Sequence, residues 1–231
     1  MASRLRSESN AGLVQQLQDS GVIKKPIVAE VMKQTDRKHY CRVANPYVDQ
    51  PESIGCFATI SAPHMHAFAL ENLSEVINAD SKILDIGAGS GYLTACFARL
   101  IEAKAKEKNT EPTGIVIAIE HQPDLVKFAN ENIKNDDYKL ISDERLKIIQ
   151  GDGRIGCIEY GPYDVIHVGA AASETPLELL LQLKTGGRML CPVGPQDGEQ
   201  NMEQYDKKNS GEVVKDTLTS VMYVPLTDLK V

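Results

Sequence analysis

No stretch of this sequence approaches the roughly 18 consecutive apolar residues that a helix needs to cross a bilayer, so nothing in it reads as a membrane span. The opening residues, MASRLRSESNAGLVQQL, hold two arginines but no continuous apolar segment. They do not read as a signal peptide, and the expected compartment is the cytosol. Cysteine is sparse and poorly placed for cross-linking. Cys41, Cys56, Cys96, Cys157 and Cys191 are odd in number, widely spaced and never arranged as CxxC, which points to reduced thiols rather than a disulfide framework or a zinc site. Positive charge is not in excess either: 25 Lys and Arg face 32 Asp and Glu, a net charge of −7. A non-specific grip on nucleic acid needs the opposite balance. The densest basic stretch, AKAKEKN at 103–109, also carries glutamate and reads as a solvated helix end and loop. Internal repeats and low-complexity linkers are missing as well.

What is present is an ordinary globular composition, 42% hydrophobic and 25% charged, in 231 residues. That suits one domain, or one domain with an appendage. Leu13, Val14 and Leu17 give Ser7 to Ser20 a helical spacing that Gly21 ends, and Ile27 to Met32 suggests a second helix after Pro26. From Lys82 the character changes. The short apolar runs KILDIG, GIVIAIE, RLKIIQGDG, YDVIHVG and GGRMLCPVG alternate with longer segments of helical spacing, the pattern of a largely parallel sheet covered on both faces. Val213 to Val224 reads as a β-ribbon that finishes the sheet. The expectation is a single doubly wound α/β domain, with residues 1–80 as a helical extension and 81–231 as the core. Glu102 to Thr113 reads as its longest, most mobile connection.

The first run leads into DIGAGSGY, Asp85 to Tyr92, and then into an amphipathic segment with Leu93, Cys96, Phe97 and Leu100. Glycines at a strand-to-helix turn let the backbone pass close to a ligand. A dinucleotide fingerprint spaces them GxGxxG. Here they fall as GxGxG (Gly87, Gly89, Gly91), and Asp85 stands two residues before the first. A carboxylate there would repel a pyrophosphate but tolerate a cation. The turn, with Ser90 inside it, resembles the first motif of S-adenosylmethionine-dependent methyltransferases, which have a Rossmann-like fold.

The strand ends agree with that resemblance. GIVIAIE closes on Glu120, followed by His121, where ribose hydroxyls are held in such sheets. QGDGR offers Asp152 and Gly153 at the position that meets the adenine in the family. Ala58 to Ala67, ATISAPHMHA, then carries a more specific likeness. Together with DIGAGSGYLTACFARL, GDGR, PYDVIHVGAA, LLLQLKTGGRML and PVG, it resembles the protein-L-isoaspartate (D-aspartate) O-methyltransferases from about Val22 to Asp228.

The resemblance implies methyl transfer from S-adenosyl-L-methionine, leaving S-adenosyl-L-homocysteine. The acceptors are the α-carboxylate of L-isoaspartyl residues and the side-chain carboxylate of D-aspartyl residues in damaged proteins and peptides. It further implies Ser61 as the catalytic residue that also meets donor and substrate, Ala58, Thr59, Ile60, His66 and Thr227 at the cofactor, and Val168, Gly169 and Ala170 along the substrate. A Ser followed by Ala-Pro also reads as a helix N-cap. His64 and His66 lack a third ligand for a metal; His66 reads as a neutral wall of the pocket and His64 as a helix-surface residue. The family pattern has a further glutamine contact where this sequence stops at Val231, a place that Lys230 and Val231 could fill. A monomer is expected, with no nucleic-acid or membrane partner. Two other readings stay open: a methyltransferase of small metabolites or nucleic acid, and a non-catalytic S-adenosylmethionine sensor. Asn45-Pro46-Tyr47 lacks the second proline of the DNA amino-methylating motif and reads as a turn.

Overall fold

The computed structural model describes residues 5–228; Lys230 and Val231 lie outside that range. Two helices lead, α1 (Asn10–Asp19) and α2 (Pro26–Gln34). The Ser9 hydroxyl caps α1 by accepting the Gly12 N–H at 3.1 Å, and α2 opens on Pro26, where a missing N–H is not needed. Next comes a hairpin, β1 (Glu52–Gly55) and β2 (Ala58–Ile60), then α3 (Pro63–Leu73). The helical reading of the first eighty residues did not include this hairpin. Its tip is Cys56-Phe57, both at positive φ of 51° and 57°. Such turns are usually signalled by Asn-Gly or Asp-Gly, and holding other residues there costs about 1–3 kcal/mol each.

The core follows as β3 (Lys82–Ile86), α4 (Tyr92–Lys108), β4 (Ile115–Glu120), α5 (Pro123–Asp137), α6 (Lys139–Ser142) and β5 (Leu146–Gln150). It continues with β6 (Tyr163–Val168), α7 (Leu177–Gln182), β7 (Leu183–Val193), β8 (Gln200–Lys207) and β9 (Val213–Val221). Seven strands form one sheet in the order β5-β4-β3-β6-β7-β8-β9. The first five are parallel, and β8 and β9 run antiparallel as the closing ribbon. The Rossmann-like α/β expectation is met. The Glu102 to Thr113 connection needs correction: α4 continues through Lys108, because Ala105 buries four residues after Ile101 and the lysines and glutamates around it favour helix. Only a short segment remains, tied down where the Thr113 and Gly114 N–H groups donate to the Ala79 carbonyl at 2.9 and 2.8 Å.

Alternation along the strands builds two cores. Ile83, Val116, Val165 and Leu190 face the helical extension and α4, whereas Leu84, Ile86, Ile117, Ile119, Ile166 and Met189 face α7. The extension is held to the first core by more than apolar contact. Arg99 of α4 donates to Asp136 at 2.7 Å and to the Thr35 hydroxyl at 2.9 Å, and the Tyr40 hydroxyl donates to the same Asp136 oxygen at 2.7 Å. Arg99 and Asp136 side chains are each only 6% exposed. Removing one partner of such a pair strands a buried charge, at about 3–5 kcal/mol. Asp136→Ala is therefore expected to lower unfolding stability by about that much in urea titration; a loss below about 1 kcal/mol, the scale of an exposed pair, would contradict the assignment.

Candidate active site

Strand β3 is the switch point of the sheet. The chain winds outward from it through β4 to β5, then returns to its other side as β6, which opens a crevice beyond the carboxyl ends of the strands. The glycine turn sits at that crevice. Gly87, Gly89 and Gly91 have φ of 78°, 54° and 82°, backbone angles that favour glycine. The Gly87 N–H donates to the Ile119 carbonyl at 2.8 Å. The Gly89 N–H donates to Glu120 Oε2 at 2.9 Å, and the Gln122 N–H to Oε1 at 3.0 Å. A carboxylate accepts about four hydrogen bonds, so Glu120 keeps capacity toward the crevice. Gly91 does different work: it precedes α4, and a Cβ there would meet Ile133 and Ala129 of α5 at 3.0 and 3.2 Å.

Three openings converge here. An outer cavity is lined by Ala58, Thr59, Gly87, Gly89, Glu120, His121, Gly153 and Thr227, with Ile119, Leu125 and Leu226 as apolar walls. An inner, polar cavity lies between the glycine turn and the start of α3, bounded by Thr59, Ile60, Ser61, His66, Asp85, Ser90, Tyr92, His167 and Tyr223. A wide cleft of about 620 Å³ opens to solvent past Ser61, His64, Met222 and Tyr223. Thr59 and Gly169 line all three. Those two residues are the walls common to all three openings.

Most residues singled out from sequence reach this region, and some do not. Val168 is wholly buried in the α7-side core, while its neighbours Gly169 and Ala170 line the outer cavity. Asp152 lines none of the three openings; its carboxylate is held by Arg154, whose Nε lies 2.9 and 3.0 Å from the two oxygens. Ser61 does not cap α3: the residue at that position is Ala62, with no side-chain cap. Ser61 lies one residue ahead of the cap position, and its side chain lines the inner cavity together with Tyr223. His64 stands at the head of α3, and both its backbone N–H and its Nδ1 lie 2.9 Å from Asp49 Oδ1. Tyr92, Leu125, His167 and Tyr223 were missed. Among them only His167 left a readable trace, a polar residue late in the otherwise mostly apolar run YDVIHV.

The inner cavity is electrostatically unusual. Burial, helped by the charge of Arg37, pushes the His66 pKa well below its ordinary value of 6.5, so the ring is neutral, stacked on Tyr92 with centroids 4.7 Å apart. Its Nδ1 is buried without a protein partner. Burial pushes the Tyr223 phenol up to about 12. Asp85 is the one acid lining this cavity, and its oxygens accept the Thr94 hydroxyl at 2.6 Å and meet His167 Nδ1 at 2.8 Å.

A phosphate in the inner cavity would face Asp85, whereas a sulfonium would not be repelled; Glu120 and the apolar slot beside it fit a nucleoside. Fold and site together define the class, the S-adenosylmethionine-dependent methyltransferases. The comparisons narrow it. Residues 8–231 match the protein-L-isoaspartate(D-aspartate) O-methyltransferase (PCMT) family, and the chain belongs to that family. It is 44% identical to the protein-L-isoaspartate O-methyltransferase of Triticum aestivum, covering 95% of this chain and 92% of that one. With the enzyme of the same name from Caenorhabditis elegans the identity is 41%, over 98% and 96%. The fold is also similar to a Plasmodium falciparum protein described as a protein-L-isoaspartate O-methyltransferase, in complex with S-adenosyl-L-homocysteine: TM-score 0.86 and 36% identity, over 96% and 99% of the two chains.

Two outcomes are expected. A Cβ on Gly169 would press on the Gly87 and Ile86 carbonyl oxygens at 3.2 Å, so Gly169→Ala should part the strand ends slightly. Misplacement on the ångström scale can cost about 100-fold in rate. Activity should fall toward that extent in steady-state assays, with a melting temperature close to wild type; equal activity would contradict the convergence at this residue. The second concerns pH. A histidine held neutral when folded makes the unfolded state bind more protons, so stability is present above its unfolded value near 6.5 and is lost as pH falls below it. His64 acts oppositely: Asp49 raises its pKa, so its contribution is present below 6.5 and lost as pH rises. Denaturant unfolding from pH 7 to about 5 should show a flatter acid limb for His66→Asn than for wild type; an unchanged slope would contradict a neutral buried His66.

Proposed function

We infer that the chain transfers a methyl group from S-adenosyl-L-methionine to the α-carboxylate of L-isoaspartyl residues, and to the side-chain carboxylate of D-aspartyl residues, in proteins and peptides. The ester product then closes to a succinimide, which starts repair. The observation that carries this reading is the meeting of two small cavities and one wider cleft at Thr59 and Gly169. Two cavities suit the two halves of one donor, and the open cleft suits an acceptor that is part of a longer chain. S-adenosyl-L-methionine supplies an electrophilic methyl on a sulfonium. The residues fit it: Glu120 faces the ribose side, Ile119, Leu125 and Leu226 form a flat apolar slot, and the glycine turn gives close backbone approach.

The acceptor needs little activation, because a carboxylate with pKa near 4 is already ionised at neutral pH. No general base is required. The protein's work is alignment and exclusion of water, which makes a bimolecular event internal. Ser61 stands on the wall shared by the inner cavity and the cleft. Its hydroxyl, which lines the same cavity as Tyr223, donates to the incoming carboxylate and turns one oxygen toward the junction. Gly169 and Ala170 leave room for a peptide backbone across it. A monomer is the expected working unit, and the net charge of −7 disfavours a nucleic-acid acceptor.

With methyl-labelled donor and two peptides differing only in isoaspartate against aspartate, label is expected on the isoaspartyl peptide alone. Ser61→Ala should lower kcat about 10- to 100-fold, the scale of one hydrogen bond to a charged group, while S-adenosyl-L-homocysteine binding stays within a few-fold. Label on neither peptide despite cofactor binding would support the sensor reading. Label on aspartate as well would overturn the specificity.

A further inference from the structure

His167 has been given no part so far, yet it is the second polar residue sealed into the sheet beneath the inner cavity. Parallel pairing sets Asp85 of β3 directly opposite His167 of β6. Both point to the same face of the sheet, toward α4, where Thr94 and Phe97 close over them. The two residues are 2% and 6% exposed. A carboxylate can only accept. Asp85 takes the Thr94 hydroxyl on one oxygen, so its contact of 2.8 Å with His167 Nδ1 on the other assigns the ring proton to Nδ1. In the singly protonated ring Nε2 is then the acceptor. Among the described residues no hydrogen bond involves Nε2, and the ring lines the inner cavity.

We propose that His167, oriented by Asp85, accepts a hydrogen bond from the α-ammonium of the donor and is the residue that distinguishes donors with an intact amino-acid tail. The proposal rests on the donor reading above. If the outer cavity, with Glu120 and its apolar slot, takes the nucleoside, the tail enters the inner cavity. That tail carries one positive and one negative group. The inner cavity has one lining acid, Asp85, whose two oxygens each engage one group and keep further accepting capacity. Its negative charge is offered to a ligand both directly and through the imidazole, as a lone pair on Nε2 backed by a carboxylate on Nδ1. A positive donor group is the complement of that arrangement, and a ligand carboxylate there would be repelled.

The test compares binding by titration calorimetry of two ligands to the full chain: S-adenosyl-L-homocysteine, which keeps the tail, and 5′-methylthioadenosine, which lacks it. His167→Ala should weaken the first about 10- to 100-fold, the range for a hydrogen bond to a charged group, and leave the second within about twofold. Asp85→Asn keeps the volume but lets an amide N–H donate to Nδ1, moving the ring proton to Nε2. It should produce the same selective loss even if the alanine variant folds poorly. His167→Gln, which can present an amide oxygen near the Nε2 position, should recover part of the affinity. Unchanged affinity for S-adenosyl-L-homocysteine in both variants would overturn the proposal, and so would parallel loss of both ligands, which marks a packing role. Failure of the wild-type chain to bind S-adenosyl-L-homocysteine would instead overturn the donor reading on which the proposal rests.

Discussion

One hydrogen bond sets the scale of the site. The Gly169 N–H donates to the Ile86 carbonyl at 2.7 Å, continuing the β3–β6 ladder just past the point where both strands end. It brings Gly87 and Gly169 together and fixes how far the two loops stand apart. Both positions are constrained: Gly87 by its φ of 78°, and Gly169 because a Cβ there would meet the Gly87 and Ile86 oxygens at 3.2 Å. Because the donor-side openings lie against Gly87 and all three openings lie against Gly169, the contact decides where ligands meet.

From this junction the rest of the molecule can be read as support. The hairpin β1–β2 brings Thr59 to the junction from above and Ser61 to its rim. Its tip holds Cys56 and Phe57 at positive φ, with Phe57 91% exposed, so the hairpin is kept for what its second strand delivers rather than for its own stability. The helical extension backs the inner cavity through stacked groups: Arg37 lies 5.9 Å from the Tyr92 ring, and Tyr92 stacks on His66. The buried Arg99–Asp136 pair anchors the same extension to α4 and α5. A charge placed this deep is weak evidence for stability. It joins three elements at one point: Thr35 just past α2, Arg99 of α4 and Asp136 of α5.

The sheet was legible because its physics is local. Runs such as KILDIG and GIVIAIE are buried on both faces, so they show as continuous apolar segments, and glycine or an acid at each end marks the turn. The glycine turn, Glu120 and the HVGAA segment could be located in the same way. What stayed hidden depends on pairing between distant segments. Tyr223 enters the site only because the chain leaves β9 beside Ser61, and no periodicity announces that. Asp85 and His167 are both visible as polar residues in apolar runs, but their contact needs the β3–β6 register. The long α4 was cut short in the reading because its end is charged, although alanine, lysine and glutamate are good helix formers. Ser61 looked like a cap because Ser-Ala-Pro reads as a helix start; the cap position falls one residue later, and Ser61 lines the inner cavity with Tyr223 instead.

The central claim is that donor and acceptor meet between Thr59 and Gly169. A crystal structure of the chain with S-adenosyl-L-homocysteine tests it most directly. The account predicts the thioether sulfur at that junction, with the nucleoside beside Glu120 and the amino-acid tail against His167. Electron density that put the sulfur away from both residues, with the open cleft cut off from it, would contradict the account.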